Sequence, residues 1–137
     1  MEPTLKKGRN LIVNKLVVRF RDPKRNEIVV FHTPQGPNKD LVKRVIAVAG
    51  DLVSIEKKKV YLNHQLLQEN YTQYTRPDEI LEGDNLAPIR IPEGYIFVLG
   101  DNRDESRDSR DWTSKEKGEW SPYVPVSSVK GIVMGVN

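Results

Sequence analysis

Tyr95-Ile96-Phe97-Val98-Leu99-Gly100-Asp101-Asn102-Arg103-Asp104-Glu105-Ser106-Arg107-Asp108-Ser109-Arg110 joins an apolar run to a segment with no apolar side chain. The first five residues read as a buried strand. The remainder alternates acids, arginines and small hydroxyls, and each of these must reach water or find a partner in the fold. One possibility is a solvated loop of surface ion pairs, each contributing little. The other is a scaffold in which hydroxyls and carboxylates orient a lysine from elsewhere and neutralise nearby charge. A calcium loop is excluded. Asp104, Ser106 and Asp108 have its initial spacing, but Ser109 stands where glycine is needed and Lys115 where glutamate is needed.

Outward from this stretch, short β-rich runs alternate with turn signals. Leu11–Phe20 reads as one strand or a pair, Glu27–Phe31 as a strand, and Leu41–Ala49 as a strand closed by Gly50-Asp51. Asp51–Glu56 and Lys59–Asn63 form a hairpin, with Val53 and Ile55 in period with Val60 and Leu62. Lys57, Lys58 and Lys59 then mark a solvated turn. Thr33–Asn38 is a proline- and glycine-containing loop, and Leu66–Pro88 is the least patterned part. Trp112–Pro125 is a loop with both tryptophans, Val126–Val129 a helical turn and Gly131–Val136 a last strand. The expected fold is all-β, mainly antiparallel, with a folded or barrel-like sheet and little helix. Residues 1–51 and 93–137 form the expected core, and 52–92 a small inserted lobe.

The chain has 137 residues, enough for one hydrophobic core. Its net charge of +3 is too small to argue for nucleic acid and suits an anionic membrane surface weakly. There are no cysteines, which excludes disulfides, a cysteine nucleophile and cysteine-ligated metal. No apolar run approaches the ~18 residues of a membrane-spanning helix.

Lys43 is the first chemical candidate. Alternation places Leu41, Lys43 and Val45 on one face, and Val42, Arg44 and Ile46 on the other. An edge-strand lysine facing water would discourage sheet pairing. A buried one would lose solvation, favouring the neutral amine that a Ser-Lys hydrolase uses as general base. His32 and His64 lie in separate segments and read as loop or surface residues. Trp112 and Trp120 suit either core packing or a membrane interface.

Four separated blocks together resemble type I signal peptidases, membrane-bound serine proteases that remove signal peptides. Met1-Glu2-Pro3-Thr4-Leu5 is similar to the family's Ser-Met-x-Pro-Thr-Leu box, entered one residue late. Ile28-Val29-Val30-Phe31 resembles its Gly-Asp-Ile-Val-Val-Phe strand, with Asn26-Glu27 replacing Gly-Asp. Lys43-Arg44-Val45-Ile46, ending in Gly50-Asp51, resembles the box of the lysine base. Gly100-Asp101-Asn102-Arg103-Asp104, with Ser106, Asp108, Ser109 and Arg110, resembles the last box. The Ala47-Val48-Ala49 segment and the short excursion look more like the cyanobacterial and chloroplast branch.

The resemblance implies a signal-peptidase-like β core and a serine endopeptidase that cuts after small residues of Ala-x-Ala type. It assigns Lys43 as general base and Ser106 as the residue that orients it. Asp101, Asn102, Arg103, Asp108, Ser109 and Arg110 support the site. Met1, Leu5, Val30, Leu41 and Val42 are the expected lining of a groove that takes the signal peptide of a preprotein as an added strand. Neither metal nor cofactor is required. The family's serine would immediately precede Met1, with its hydroxyl oxyanion donor two residues earlier, so the sequence as it stands is expected to be inactive. Thr4 matches a structural position. An N-terminal membrane anchor and an extracytoplasmic catalytic domain are also implied, with a cell or thylakoid-type membrane as partner and no nucleic acid. A self-cleaving repressor-type Ser-Lys peptidase lacks the last box. A non-catalytic module that grips extended peptides, or assists assembly at the membrane, remains the alternative.

Overall fold

β-Branched and aromatic residues dominate the strands, whose pleated surface suits their stiff side chains. In the computed structural model, residues 1–6, 8–32, 40–81, 83–110 and 121–136 are described. Within them the strands are β1 (Leu11–Asn14), β2 (Ile28–His32), β3 (Asp40–Val48), β4 (Leu52–Glu56) and β5 (Lys59–Leu62). They continue with β6 (Gln65–Leu66), β7 (Leu86–Arg90), β8 (Tyr95–Leu99), β9 (Val124–Pro125) and β10 (Val129–Val136). One sheet has the order β1-β10-β2-β3-β8-β9 and a second has β6-β5-β4-β7. Pairing of these strands is antiparallel. Helical structure among the described residues is limited to 3-10 turns at Val17–Arg19, Arg103–Glu105 and Val126–Ser128. The expected all-β class is therefore the observed one.

β8 is apolar from Ile96 to Leu99 because both of its faces are covered there. Ile96 and Val98 join Val29, Phe31, Val45, Val124, Val129 and Ile132 in one cluster. Phe97 and Leu99 join Ile46, Ala47, Val53, Ile55, Val60 and Ile91 in the other, which glues the two sheets together. Each such side chain contributes roughly 1.5–3 kcal/mol on leaving water. The register of β3 against β8 shifts between Val45 and Ala47. This bulge lets Ile46 and Ala47 enter the same cluster, so the simple alternation expected for β3 ends at Val45.

Three local expectations need correction. The first run stops at Asn14, whose Oδ1 accepts the backbone N–H groups of Leu16 and Val17 at 3.0 and 3.1 Å. This turn chemistry competes with strand continuation. A strand also forms at Leu86–Arg90, beginning within the unpatterned segment and running past its end. It holds Pro88, which β7 tolerates as the edge of its sheet. Lys58 does not sit in a solvated turn. It is folded inward, its side chain 9% exposed, onto Asp84 and Asp104. Trp112, Trp120 and the loop at 33–38 lie outside the described residues.

Candidate active site

Lys43 and Arg44, neighbours on β3, engage the polar segment from opposite faces of the sheet. Lys43 pairs in register with Val29, and Arg44 pairs with Ile28 and Leu99. Lys43 Nζ donates to Ser106 Oγ at 2.9 Å. Ser106 follows the 3-10 turn Arg103–Glu105 and returns to extended backbone, φ −103° and ψ 138°. Beneath the pair lies Gly100. A Cβ there would stand 2.6 Å from Ser106 Cβ, nearer still to its Oγ, and 3.5 Å from Lys43 Nζ. Glycine is thus required for the serine and the amine to meet. Its place in the motif was visible in the sequence, but its steric role was not.

On the other face, the Arg44 guanidinium forms a two-pronged pair with Asp101, at 2.9 and 2.8 Å. Its Nη1 donates to the carbonyl of Asn26 at 2.9 Å, and the ring of Tyr71 lies 3.9 Å from its Cζ. Asp101 is fully buried. Such a charge persists only when it is paired and its oxygens are satisfied. Thr4 completes the set by donating its hydroxyl to Asp101 Oδ2. The first motif is thereby fastened to the last through Thr4.

Much of the rest of the segment is held by internal hydrogen bonds and bonds to β8. Asp108 Oδ2 accepts the Gly100 N–H at 3.0 Å. Arg110 donates to both Asp108 oxygens, through Nε at 2.9 Å and Nη2 at 3.1 Å. Burial pushes the Asp108 carboxyl up, but Arg110 and the Gly100 N–H outweigh it and hold it below the usual aspartate range. Arg110 Nη2 also donates to the carbonyl of Arg103 at 2.6 Å. Ser109 stitches the segment to β8: its Oγ accepts from Val98 N–H at 3.0 Å, and its own N–H donates to Val98 O at 3.2 Å. Arg103 Nε donates to Gly100 O at 2.9 Å, while its two terminal nitrogens clasp Glu69. Burial disfavours that guanidinium's charge, but Glu69 more than restores it. Asp101, Arg103, Asp104, Asp108, Ser109 and Arg110 are all buried, so the segment is not a solvated loop.

Several partners came from the part of the chain that showed no pattern. Gln73 bridges the segment by donating its N–H to Asp101 O at 2.8 Å and accepting Arg103 N–H at 2.9 Å. Asn102 lies between those bonds. Its Oδ1 is buried and, among the described residues, meets no hydrogen-bond donor. Glu69, Tyr71, Gln73 and Asp84 were hidden because isolated polar residues in an aperiodic segment look solvated, and Lys58 because it belongs to a lysine triplet at a hairpin turn.

The expected groove residues are divided by strand alternation. Leu41 lies on the Lys43 face and packs on the inner cluster. Val30 and Val42 oppose each other on the reverse face, both half-buried. Met1 and Leu5 are half-buried in a turn closed by Leu5 N–H on Met1 O at 3.0 Å. His32 approaches Asp40 at 3.3 Å on the surface, and His64 is an exposed turn residue. Among the described residues no cluster of His, Asp and Glu is arranged to hold a metal ion.

Comparison with known proteins fits this geometry. The sequence model of the family described as signal peptidase, peptidase S26, matches residues 1–136. A probable signal peptidase I-1 of Synechocystis sp. is 41% identical over 82% of this chain and 58% of its own length. The signal peptidase I of Leptolyngbya laminosa is 39% identical over 96% of this chain and 61% of its own. The chain thus spans little more than half the length of these relatives. A crystal structure of a signal peptidase I from Enterococcus faecalis superposes with a TM-score of 0.60 at 27% identity, covering 82% of this chain and 97% of that one. The motif-bearing strands, the shared fold and the match along nearly the whole sequence place the chain in one family: it belongs to the signal peptidases, peptidase S26.

Proposed function

We propose that this chain is the catalytic domain of a serine endopeptidase that removes signal peptides from exported preproteins by a Ser-Lys dyad. The observation that carries the proposal is the 2.9 Å contact of Lys43 Nζ with Ser106 Oγ over Gly100. In this mechanism the nucleophile is a serine directly before Met1. Neutral Lys43 takes its proton as the hydroxyl attacks the scissile carbonyl, then passes the proton to the leaving amine. Water, deprotonated by the same amine, hydrolyses the acyl-serine and frees the enzyme. Hydrogen-bond donors beside the serine stabilise the developing oxyanion. Ser106 keeps the amine in place, and the buried pairs of Asp101 with Arg44 and Asp108 with Arg110 hold the floor rigid.

The signal peptide enters as an added strand, with small pockets admitting only small side chains next to the cut. Residues 1–51 and 93–137 act as the catalytic core and 52–92 as an appended part. A segment preceding Met1 anchors the native protein, with the catalytic domain on the extracytoplasmic face. Among the described residues no helix is long and apolar enough to cross a membrane. The test is to express the chain with serine, and separately alanine, placed before Met1, and to incubate each with a preprotein fragment carrying an Ala-x-Ala site. The serine form should release the signal peptide and the alanine form should not. Equal cleavage by both, or none by the serine form, would refute the proposal.

A further inference from the structure

Away from the Lys43–Ser106 pair, Lys58 is a charge held inward by two carboxylates. It occupies the turn between β4 and β5, whose residues Lys57 and Lys58 have φ values of 48° and 73°. Side chains other than glycine, asparagine and aspartate adopt this left-handed region at a cost of roughly 1–2 kcal/mol. Here the turn sends the ammonium inward. Nζ lies 2.6 Å from Asp104 Oδ1 and 3.0 Å from Asp84 Oδ2. The Lys58 N–H donates to Asp84 O at 2.9 Å, and its carbonyl accepts the Tyr74 hydroxyl at 3.2 Å. Burial opposes the charge of Lys58, yet the two carboxylates more than compensate and hold the ammonium above its ordinary range. A surface turn would need none of this.

Both carboxylates lead to the Lys43–Ser106 pair. Asp104 belongs to the 3-10 turn Arg103–Glu105 that delivers Ser106, and its second oxygen accepts Arg76 N–H at 2.7 Å. Asp84 lies 3.9 Å from Arg110 Nη1, and Arg110 holds the Asp108 carboxylate that accepts Gly100 N–H. One ammonium from the second sheet thus braces the two pieces of backbone that must lie against each other, Gly100 and Ser106.

We propose that Lys58 is a positioning residue for the Lys43–Ser106 pair, acting through Asp104 on the serine and through Asp84, Arg110 and Asp108 on Gly100. The proposal rests on the protease assignment for its catalytic consequence, but not for its structural one. Two readouts separate them. The first needs no turnover: the pH dependence of Lys43 acetylation by acetic anhydride, followed by peptide mass spectrometry. Lys58→Met should make Lys43 react faster and shift its pH profile, and Lys58→Arg should restore it. Lys57→Met, which changes an exposed neighbour, should leave it unchanged.

The second readout is cleavage by the form with serine before Met1. There Lys58→Met should lower kcat by about tenfold or more, with KM nearly constant, because a misplaced base costs the chemical step rather than binding. An unchanged labelling profile in folded Lys58→Met protein would overturn the proposal whatever the activity. If that variant fails to fold, Asp104→Asn decides by the same profile. Failure of both to fold would overturn it too, by making the lysine part of the general framework. Absence of cleavage in the unsubstituted serine form, with the labelling shift intact, would count against the protease assignment alone.

Discussion

Ser106 can reach Lys43 because position 100 carries no side chain. Gly100→Ala should therefore act on the Lys43–Ser106 pair before it acts on the fold. In the serine-bearing chain we expect a loss in kcat of about a hundredfold, with a stability loss of about 1–3 kcal/mol from overpacking. Cleavage kinetics beside a chemical denaturation curve will separate the two. Ser106→Ala removes one hydrogen bond without adding bulk. It should lower kcat by about tenfold and leave KM nearly unchanged, since a hydrogen bond to an amine or ammonium is of that size. At this scale the sequence was legible where residues sit in motifs: Lys43, Ser106 and the acids and arginines of residues 101–110. Lys58 was not, because a lysine triplet beside a turn looks solvated. Only its left-handed backbone and two distant aspartates turn it inward.

Periodicity revealed the elements whose two faces differ or whose two faces are both apolar. β3, β8 and the β4–β5 hairpin were readable for that reason. β7 was hidden by Pro88 and by exposure along an edge. The early end of β1 was hidden because it depends on a side-chain-to-backbone bond from Asn14 rather than on hydrophobic pattern. The bulge in β3 was likewise invisible, since adding one residue to a strand changes no local preference. β10 offers a test of how tightly the elements fit. A Cβ on Gly131 would stand 3.0 Å from Asn14 O and press on the side chain of Val13. Gly131→Ala should push β1 off β10 at a cost of about 1–3 kcal/mol. Amide exchange should then quicken in β1 while β3 and β8 stay protected.

For the whole molecule, buried carboxylates set the response to acid. Asp104 resembles Asp108: burial pushes its carboxyl up, but Lys58 and the Arg76 N–H outweigh that and hold it below the usual range. Groups lowered in this way bind protons less readily folded than unfolded. Their stabilisation is full above the ordinary aspartate value of about 3.9 and is lost as pH falls through the lowered values. Denaturation midpoints should be flat at mildly acidic pH and drop steeply below about pH 4. Asp108→Asn should be less stable at neutral pH by about 3–5 kcal/mol, since Arg110 stays buried without its partner. The same variant should lose less stability on acidification.

These charges do one thing together. They fix a polar floor to the end of a buried strand so that the Lys43 amine is held against Ser106. Its central consequence is best tested by the rate at which the chain with serine before Met1 releases a signal peptide, measured with Lys43 and with Lys43→Met. The account predicts that the methionine form folds with the same melting temperature to within a few degrees and cleaves at background rate. Cleavage by folded Lys43→Met at a rate near that of the lysine form would contradict it.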